Sequence, residues 1–368
     1  MQAIAGPNSR RSVLSVLSAL AAIVPAALEA QQAERYTMLG DDVAIYNLAG
    51  EVRIEPGGGP GVTAEVTRGG ADAAKLKLAQ SEVNGRRALR IIYPGDRIQY
   101  ARLTDGSSTQ LRVRDDGTFS DHDDDDEHRN EGRRVTIAGG GGGLAAHADL
   151  KVIVPRGKQL AMYLAVGKVN VVNIEGDLRV DAAAAPVTTS NTRGELRIEV
   201  GSGEVQVTQS RGELSIDTGS GAVSASDVRG ESISIETGSG EVTTNDVRTS
   251  QLSVQTGSGD IRASNLMASQ VSLETGSGAV TADVSGEVWN VSVETGSGDI
   301  TLRVPPTLGA EVDIETSSGD IETDFEVAVT RHARDHLTGR IGDGRGKIDI
   351  ETGSGGIKLV KSGPPSGT

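Results

Sequence analysis

Apolar and polar residues alternate in short runs along most of this chain. In Val291-Ser292-Val293-Glu294-Thr295 the apolar positions are every second residue, and past a glycine turn Ile300, Leu302 and Val304 alternate with Asp299, Thr301 and Arg303. A period of two predicts strands with one face inward and one outward. The same phase recurs at Ile233 and Ile235, at Leu252 and Val254, and at Val271 and Leu273. The turns recur as well. Gly201, Gly219, Gly238, Gly257, Gly276 and Gly296 each open a Gly-Ser-Gly, at intervals of 18 to 20 residues. Ser317 holds the next equivalent place, and Gly353 opens a last copy. Fainter copies lie upstream, one where Val180-Asp181, four alanines and Pro186-Val187 match Val200 to Val205, and a shortened one at Val166-Gly167-Lys168-Val169.

A strand–turn–strand unit repeated at near-constant spacing fits an antiparallel meander or a β-solenoid. The solenoid is preferred, because near-identical copies stack like on like and bury each coil's aliphatic face against its neighbours. The expected fold is therefore all-β: a parallel β-solenoid with coils of about 19 residues over 151–361, preceded by an irregular β-rich region over 31–150. About ten coils at about 4.8 Å each make a rod about 50 Å long. Handedness is expected to be right, by analogy with parallel crossovers. An insertion at 326–347 breaks the period and is expected to leave the rod as a loop or hairpin, and residues 362–368 form a polar tail. In the N-terminal region strands are expected at Val43–Tyr46, Val52–Ile54, Val62–Val66, Leu89–Tyr93, Gln110–Val113 and Val135–Ala138. The acidic run Asp121 to His128 and the glycine run Gly139 to Gly143 read as loops between them.

Residues 1–30 have the layout of a secretory signal, with Arg10 and Arg11 before the uncharged stretch Val13 to Leu28 and cleavage expected after Ala30. The paired arginines also suit twin-arginine export, which the ordinary signal reading leaves open. The mature chain is expected to lack a membrane span and to reside in the periplasm or at the cell surface.

Composition narrows the function. Of 368 residues, 51 are Asp or Glu against 36 Lys or Arg, giving a net charge of -15, and aromatics are 2%. That excludes a nucleic-acid partner, which calls for a basic stripe and stacking rings. The absence of Cys removes disulfides, thiol nucleophiles and thiolate metal sites.

The Thr-Gly-Ser-Gly-Asp/Glu repeat behind alternating aliphatics resembles the bacterial putative-adhesin family of exported β-strand-repeat proteins, a domain of unknown function. The closing pattern Gly339 to Gly344, followed by Ile348 to Ile357, is similar to that family's C-terminal end. The resemblance spans roughly residues 40–360. It implies an exported β-solenoid and brings no catalytic residues.

In a stacked coil the repeats would align carboxylates. Asp217, Glu236, Glu274, Glu294, Glu315 and Glu351 would form one column interrupted by Gln255, and Glu241, Asp260, Asp299 and Asp320 a second, with Ala222 and Ala279 as gaps. Like charges at that spacing repel. Calcium, a hard cation, could relieve this, with Glu274, Glu294, Asp299, Glu315 and Asp320 as candidate ligands, whereas solvated carboxylates need no metal. His122 and His128 in the acidic run could add a metal site, and His332 and His336 have i, i+4 spacing that would converge only on a helix. Nucleophile signatures fail: the Ser of each Gly-Ser-Gly has glycines as immediate neighbours, so there is no Gly-x-Ser-x-Gly elbow. Gly342 to Lys347 is no phosphate loop, since Ile348 stands where Ser or Thr is needed. For carbohydrate cleavage, Arg331, Arg334 and Asp335 on the insertion are the residues to test. The sequence thus points to a non-catalytic envelope protein, adhesin-like or scaffolding, needing no cofactor beyond that calcium. Its partners would be envelope or surface components, glycans or proteins. A self-assembling filament and a carbohydrate-active β-helix enzyme are the alternatives.

Overall fold

The computed structural model describes residues 33–119, 132–286 and 289–362. The signal-like segment, the acidic run Asp121–His128 and the last six residues lie outside them. The described chain is strand and turn, with one 3-10 turn at Ala73–Lys75. One sheet gathers 24 strands, and a second has three: Arg97–Gln99, Ser108–Val113 and Arg133–Ala138.

The repeats stack as parallel strands in solenoid-like order. Leu196 pairs with Leu214, then Ile233, Leu252, Val271 and Val291 follow in turn. On the other long side Val187, Val205, Val223, Val242, Ile261, Val280 and Ile300 pair in succession. Both rows are almost fully buried, so each aliphatic residue sits on its counterpart one coil away. This is how a core with so few rings is filled: a ladder of Val, Ile and Leu needs only the width between the two long sides of the stack.

The Gly-Ser-Gly turn stacks too closely for side chains. A Cβ on Gly257 would lie 2.5 Å from the Gly238 carbonyl oxygen, and one on Gly278, at φ +148°, would lie 2.1 Å from that of Gly259. From Thr256 onward the threonine before each turn points inward and its hydroxyl donates to the neighbouring turn of the stack. Thr275 Oγ1 bonds the Gly259 oxygen at 3.0 Å, and Thr295, Thr352 and Thr316 do the same to Gly278, Gly298 and Gly355. The repeated Thr-Gly-Ser-Gly is thus a packing device. A second corner uses left-handed residues other than glycine, at Asn191, Gln209, Asp227, Asp246 and Asn265. Beyond it a short third side pairs Val228–Gly230 with the chain at 247–249.

The chain departs from simple sequential stacking at both ends. Strand Asp42–Pro56 is already a coil: it pairs in parallel with Gln159–Val172 from Asp42–Gln159 to Ile54–Val171, with Gly50 against Gly167. Residues 57–158 are an excursion between these neighbouring coils. Two of its strands return to the outer edge of Asp42–Pro56, Arg86–Ile92 on one half and His147–Val154 on the other. Antiparallel strands Lys77–Val83, Gly61–Gly69 and Glu34–Leu39 complete that end. The region expected to precede the stack is therefore hydrogen-bonded into it. The aromatic residues concentrate here, with Tyr46 and Tyr163 stacked at 4.4 Å and Tyr93 buried in hydrogen-bonding contact with Asn47 and the Ala49 carbonyl.

At the C-terminal end the last repeat is threaded out of order. Gly346–Thr352 lies between Asn290–Thr295 and Ala310–Thr316, and Ile357–Lys361 lies between Ile300–Val304 and Ile321–Thr323. The 326–347 insertion, expected to leave the rod, instead extends the sheet. His336–Ile341 adds antiparallel to Ala310–Thr316, and Ala328–His332 adds antiparallel to it.

Candidate carboxylate face

The strands that precede the turns carry the outward row of interest. Inward positions in each strand hold aliphatic residues, so the residues between them face solvent. Reading along the stack, Glu199, Asp217, Glu236, Gln255, Glu274, Glu294, Glu351 and Glu315 are consecutive register partners. All but Glu199 are exposed. The column expected from the sequence forms, with Glu351 between Glu294 and Glu315 because of the threading. Each end meets a basic group. Arg197 Nε reaches Glu199 at 2.6 Å and Arg179 reaches it at 3.3 Å. At the other end His336 lies 3.8 Å from Glu315 and 2.9 Å from Asp313. Between them the one carboxamide helps, since Gln255 Nε2 donates to Glu274 at 3.0 Å. Beside the acids runs a row that sequence reading missed, Ser215, Ser234, Ser253, Ser272 and Ser292. The alternating strand pattern held that signal, two residues before each member of the row from Asp217 to Glu294.

The second column is less continuous. Asp299 is flanked by Ala279 and Gly356, and Asp320 follows Gly356, so a third gap joins those at Ala222 and Ala279. Its aspartates serve the backbone. Asp260 Oδ1 accepts the Ala279 N–H at 2.9 Å, and Asp299 Oδ1 accepts the Gly356 N–H at 2.8 Å. An aspartate followed one coil later by a small residue is the pattern that permits this reach. Arg262 bridges Asp260 and Glu241, and hydrogen bonding to Glu241 keeps its guanidinium more firmly protonated. Asp320 pairs with Arg334 at 3.1 Å.

Of the five candidate calcium ligands, Glu274, Glu294 and Glu315 therefore share the exposed row, while Asp299 and Asp320 are engaged elsewhere. Among the described residues no three acid or histidine groups converge to hold one cation. His332 and His336 belong to a hairpin rather than a helix, and in it His332 pairs with Leu337. Arg331, Arg334 and Asp335 sit on this exposed hairpin, where the Asp335 carbonyl accepts the Thr316 N–H at 2.9 Å. Among the described residues no helix is long and apolar enough to cross a membrane.

A further outward row lies on the short side. Arg193, Arg211, Arg229 and Arg248 stack in register. Aspartates at the left-handed corner answer them: Arg211 hydrogen-bonds both oxygens of Asp227, and Arg229 reaches the same carboxylate at 3.2 Å. The Arg211 hydrogen bonds hold the Asp227 carboxyl below the usual range, with burial acting against them. The chain thus presents an acidic side next to a charge-balanced one.

No curated protein matches this chain. A solved structure described as a "putative cell adhesion protein" from Clostridium sporogenes is similar at 10% identity, over 90% of this chain and 100% of that one, with a TM-score of 0.22. A likeness that loose carries no argument. The family model is decisive: it covers residues 101–360, most of the sequence and nearly all the stacked repeats, and the chain belongs to the family it describes, Toastrack DUF4097.

Proposed function

We propose that this protein is a non-catalytic, exported cell-envelope component, adhesin-like or scaffolding, whose working surface is the carboxylate row. The observation that carries this reading is the run of register-paired carboxylates from Asp217 to Glu315, broken only by Gln255, at strand spacing on an exposed face. One weak contact repeated along a rigid support gives avidity without a deep pocket. The partner that suits it is a cationic or polyhydroxylated envelope surface. Residues 1–30 supply the export signal in this reading, and the 19-residue coil supplies the spacing. A filament is less favoured, because antiparallel strands cover the N-terminal end of the parallel stack and the Ala310–Thr316 side of its C-terminal end. Catalysis is less favoured because the acids stand in an open row, and among the described residues that row faces no second row of carboxylates across a cleft.

The test is binding of residues 31–368 to whole cells, measured by flow cytometry against salt. A variant with Glu236, Glu274, Glu294 and Glu351 all changed to Gln should lose most binding, and binding by the parent should fall as salt rises. Binding indifferent to both changes would sink the proposal. Sedimentation velocity on the same chain decides the filament: one elongated species supports display, and growth with concentration supports assembly.

A further inference from the structure

The one tryptophan of the chain is placed unlike its other large rings. Tyr46, Tyr93, Tyr100, Tyr163 and Phe119 are buried, whereas Trp289 is 61% exposed. Its backbone is fixed, with its N–H donating to the Ser269 carbonyl at 3.0 Å and its carbonyl accepting from Lys347 at 2.9 Å. Single exposed rings are common and need no function. This one lines a half-open cavity of about 360 Å³, within the size range of small-molecule sites.

The cavity exists because of the out-of-order threading. One wall is Trp289, at the start of Asn290–Thr295; another is Pro305 to Gly309; the third is Asp343 to Gly346, which leads into the inserted coil. The third wall is pinned. Gly346 donates to the Gly309 carbonyl at 2.9 Å, and Gly342 and Gly344 hold left-handed φ values of +56° and +71°. A Cβ on Gly309 would lie 1.9 Å from Asp343 Oδ1, so glycine is what lets that carboxylate lie against the backbone. Asp343 accepts from Arg345 through both its Nε and its backbone N–H. The Arg345 side chain is otherwise mostly exposed.

From this juxtaposition we infer that Trp289, Asp343 and Arg345 form a binding site for a neutral saccharide. An indole face accepts the apolar C–H face of a pyranose ring, a use of the ring's large flat surface that suits a half-wet site. A carboxylate beside a guanidinium matches vicinal hydroxyls, accepting from one and donating to the other. The two charges cancel, so among the described lining residues no net charge recruits a charged ligand. The hydrogen bond from Arg345 also holds the Asp343 carboxyl below its ordinary range, so it stays an acceptor at physiological pH. A proline-rich peptide would also stack on tryptophan, but it carries no diol for the Asp–Arg pair. The inference deepens the display reading, giving it a ligand class and a site apart from the carboxylate row, and rests on it only for the partner lying in the envelope.

Because Trp289 is the sole tryptophan, its emission reports this cavity alone. Residues 31–368 are titrated with triacetylchitotriose, maltotriose and lactose, with decaproline as the peptide probe. A saturable shift with at least one sugar is expected, and none with decaproline. Calorimetry with that sugar should show binding lost in Trp289→Ala and weakened about tenfold or more in Asp343→Asn and Arg345→Met, with melting temperatures unchanged. No response to any of the three sugars, sugar binding that survives Trp289→Ala, or a response to decaproline alone overturns the inference. The row variant with four glutamines should keep its sugar response, and Trp289→Ala should keep the salt-sensitive binding carried by the row, so the two readings fail separately.

Discussion

Glu294 and Glu351 are direct register partners on the outer face, although 57 positions apart in sequence, while Glu315, the next acid of the row in sequence, is only 21 positions on. The later repeat is wedged between the two earlier ones. The stack is therefore continuous only once Gly346–Thr352 is in place between Asn290–Thr295 and Ala310–Thr316.

Ile350 tests this wedge. It is buried between Val293 and Ile314, its register partners. Ile350→Ala should cost about 2–5 kcal/mol in guanidinium unfolding. Ser272→Ala, on the outward face of a regular coil, should stay within about 0.5 kcal/mol. Hydrogen exchange in the Ile350 variant should speed first in Ala310–Thr316, which pairs with the wedge on one side.

The turn glycines should resist substitution for a geometric reason. Gly278→Ala places a methyl 2.1 Å from the Gly259 oxygen at φ +148°, so a loss of about 2 kcal/mol or more is expected. Gly286→Ala, at φ +117° with nothing within 4 Å, should cost less, because only backbone strain opposes it. Thermal melts of the two variants check the order.

Thr275→Val keeps the shape of the inner ladder but removes the hydroxyl that donates to the Gly259 oxygen. A cost of about 1–3 kcal/mol is expected from the unsatisfied carbonyl. Equal stability of the valine variant by denaturant titration would mean the threonine is there for its shape alone.

Acid should weaken the N-terminal end through His147. Burial lowers its pKa, against the raising pull of Asp149, with Arg102 and Glu51 also facing it. Its folded-state pKa is below the unfolded one, so the unfolded chain binds the proton first. The stability contribution is full above about pH 6.5 and falls as pH drops from there toward the folded value. His147→Gln should flatten the melting temperature between pH 7 and pH 5. An unchanged slope would assign that dependence to other groups.

Calcium should have little effect on stability. Asp299 is spent on a backbone N–H and Asp320 on Arg334, which leaves the exposed glutamates too open to gather one ion. About 1 mM calcium is expected to leave the melting temperature within about 1 °C of its value in chelator, since only ligands that favour the folded state raise it. A clear rise would restore Glu274, Glu294 and Glu315 as ligands.

The sequence alone determined the strands, the parallel stacking of the repeats and the acidic row, because local alternation sets which way a side chain faces and a constant period sets which residues become neighbours. It also carried the turn, since Thr-Gly-Ser-Gly recurs from Thr218 to Thr295 and again at Thr352. Three things needed the tertiary structure: the pairing of Asp42–Pro56 with a strand more than a hundred residues on, the wedging of Gly346–Thr352 between earlier coils, and the cavity beside Trp289. Parallel strands of one aliphatic pattern can pair in several orders. Which order wins depends on how the excursions at 57–158 and 326–345 pack back on the ends, and no period along the chain encodes that.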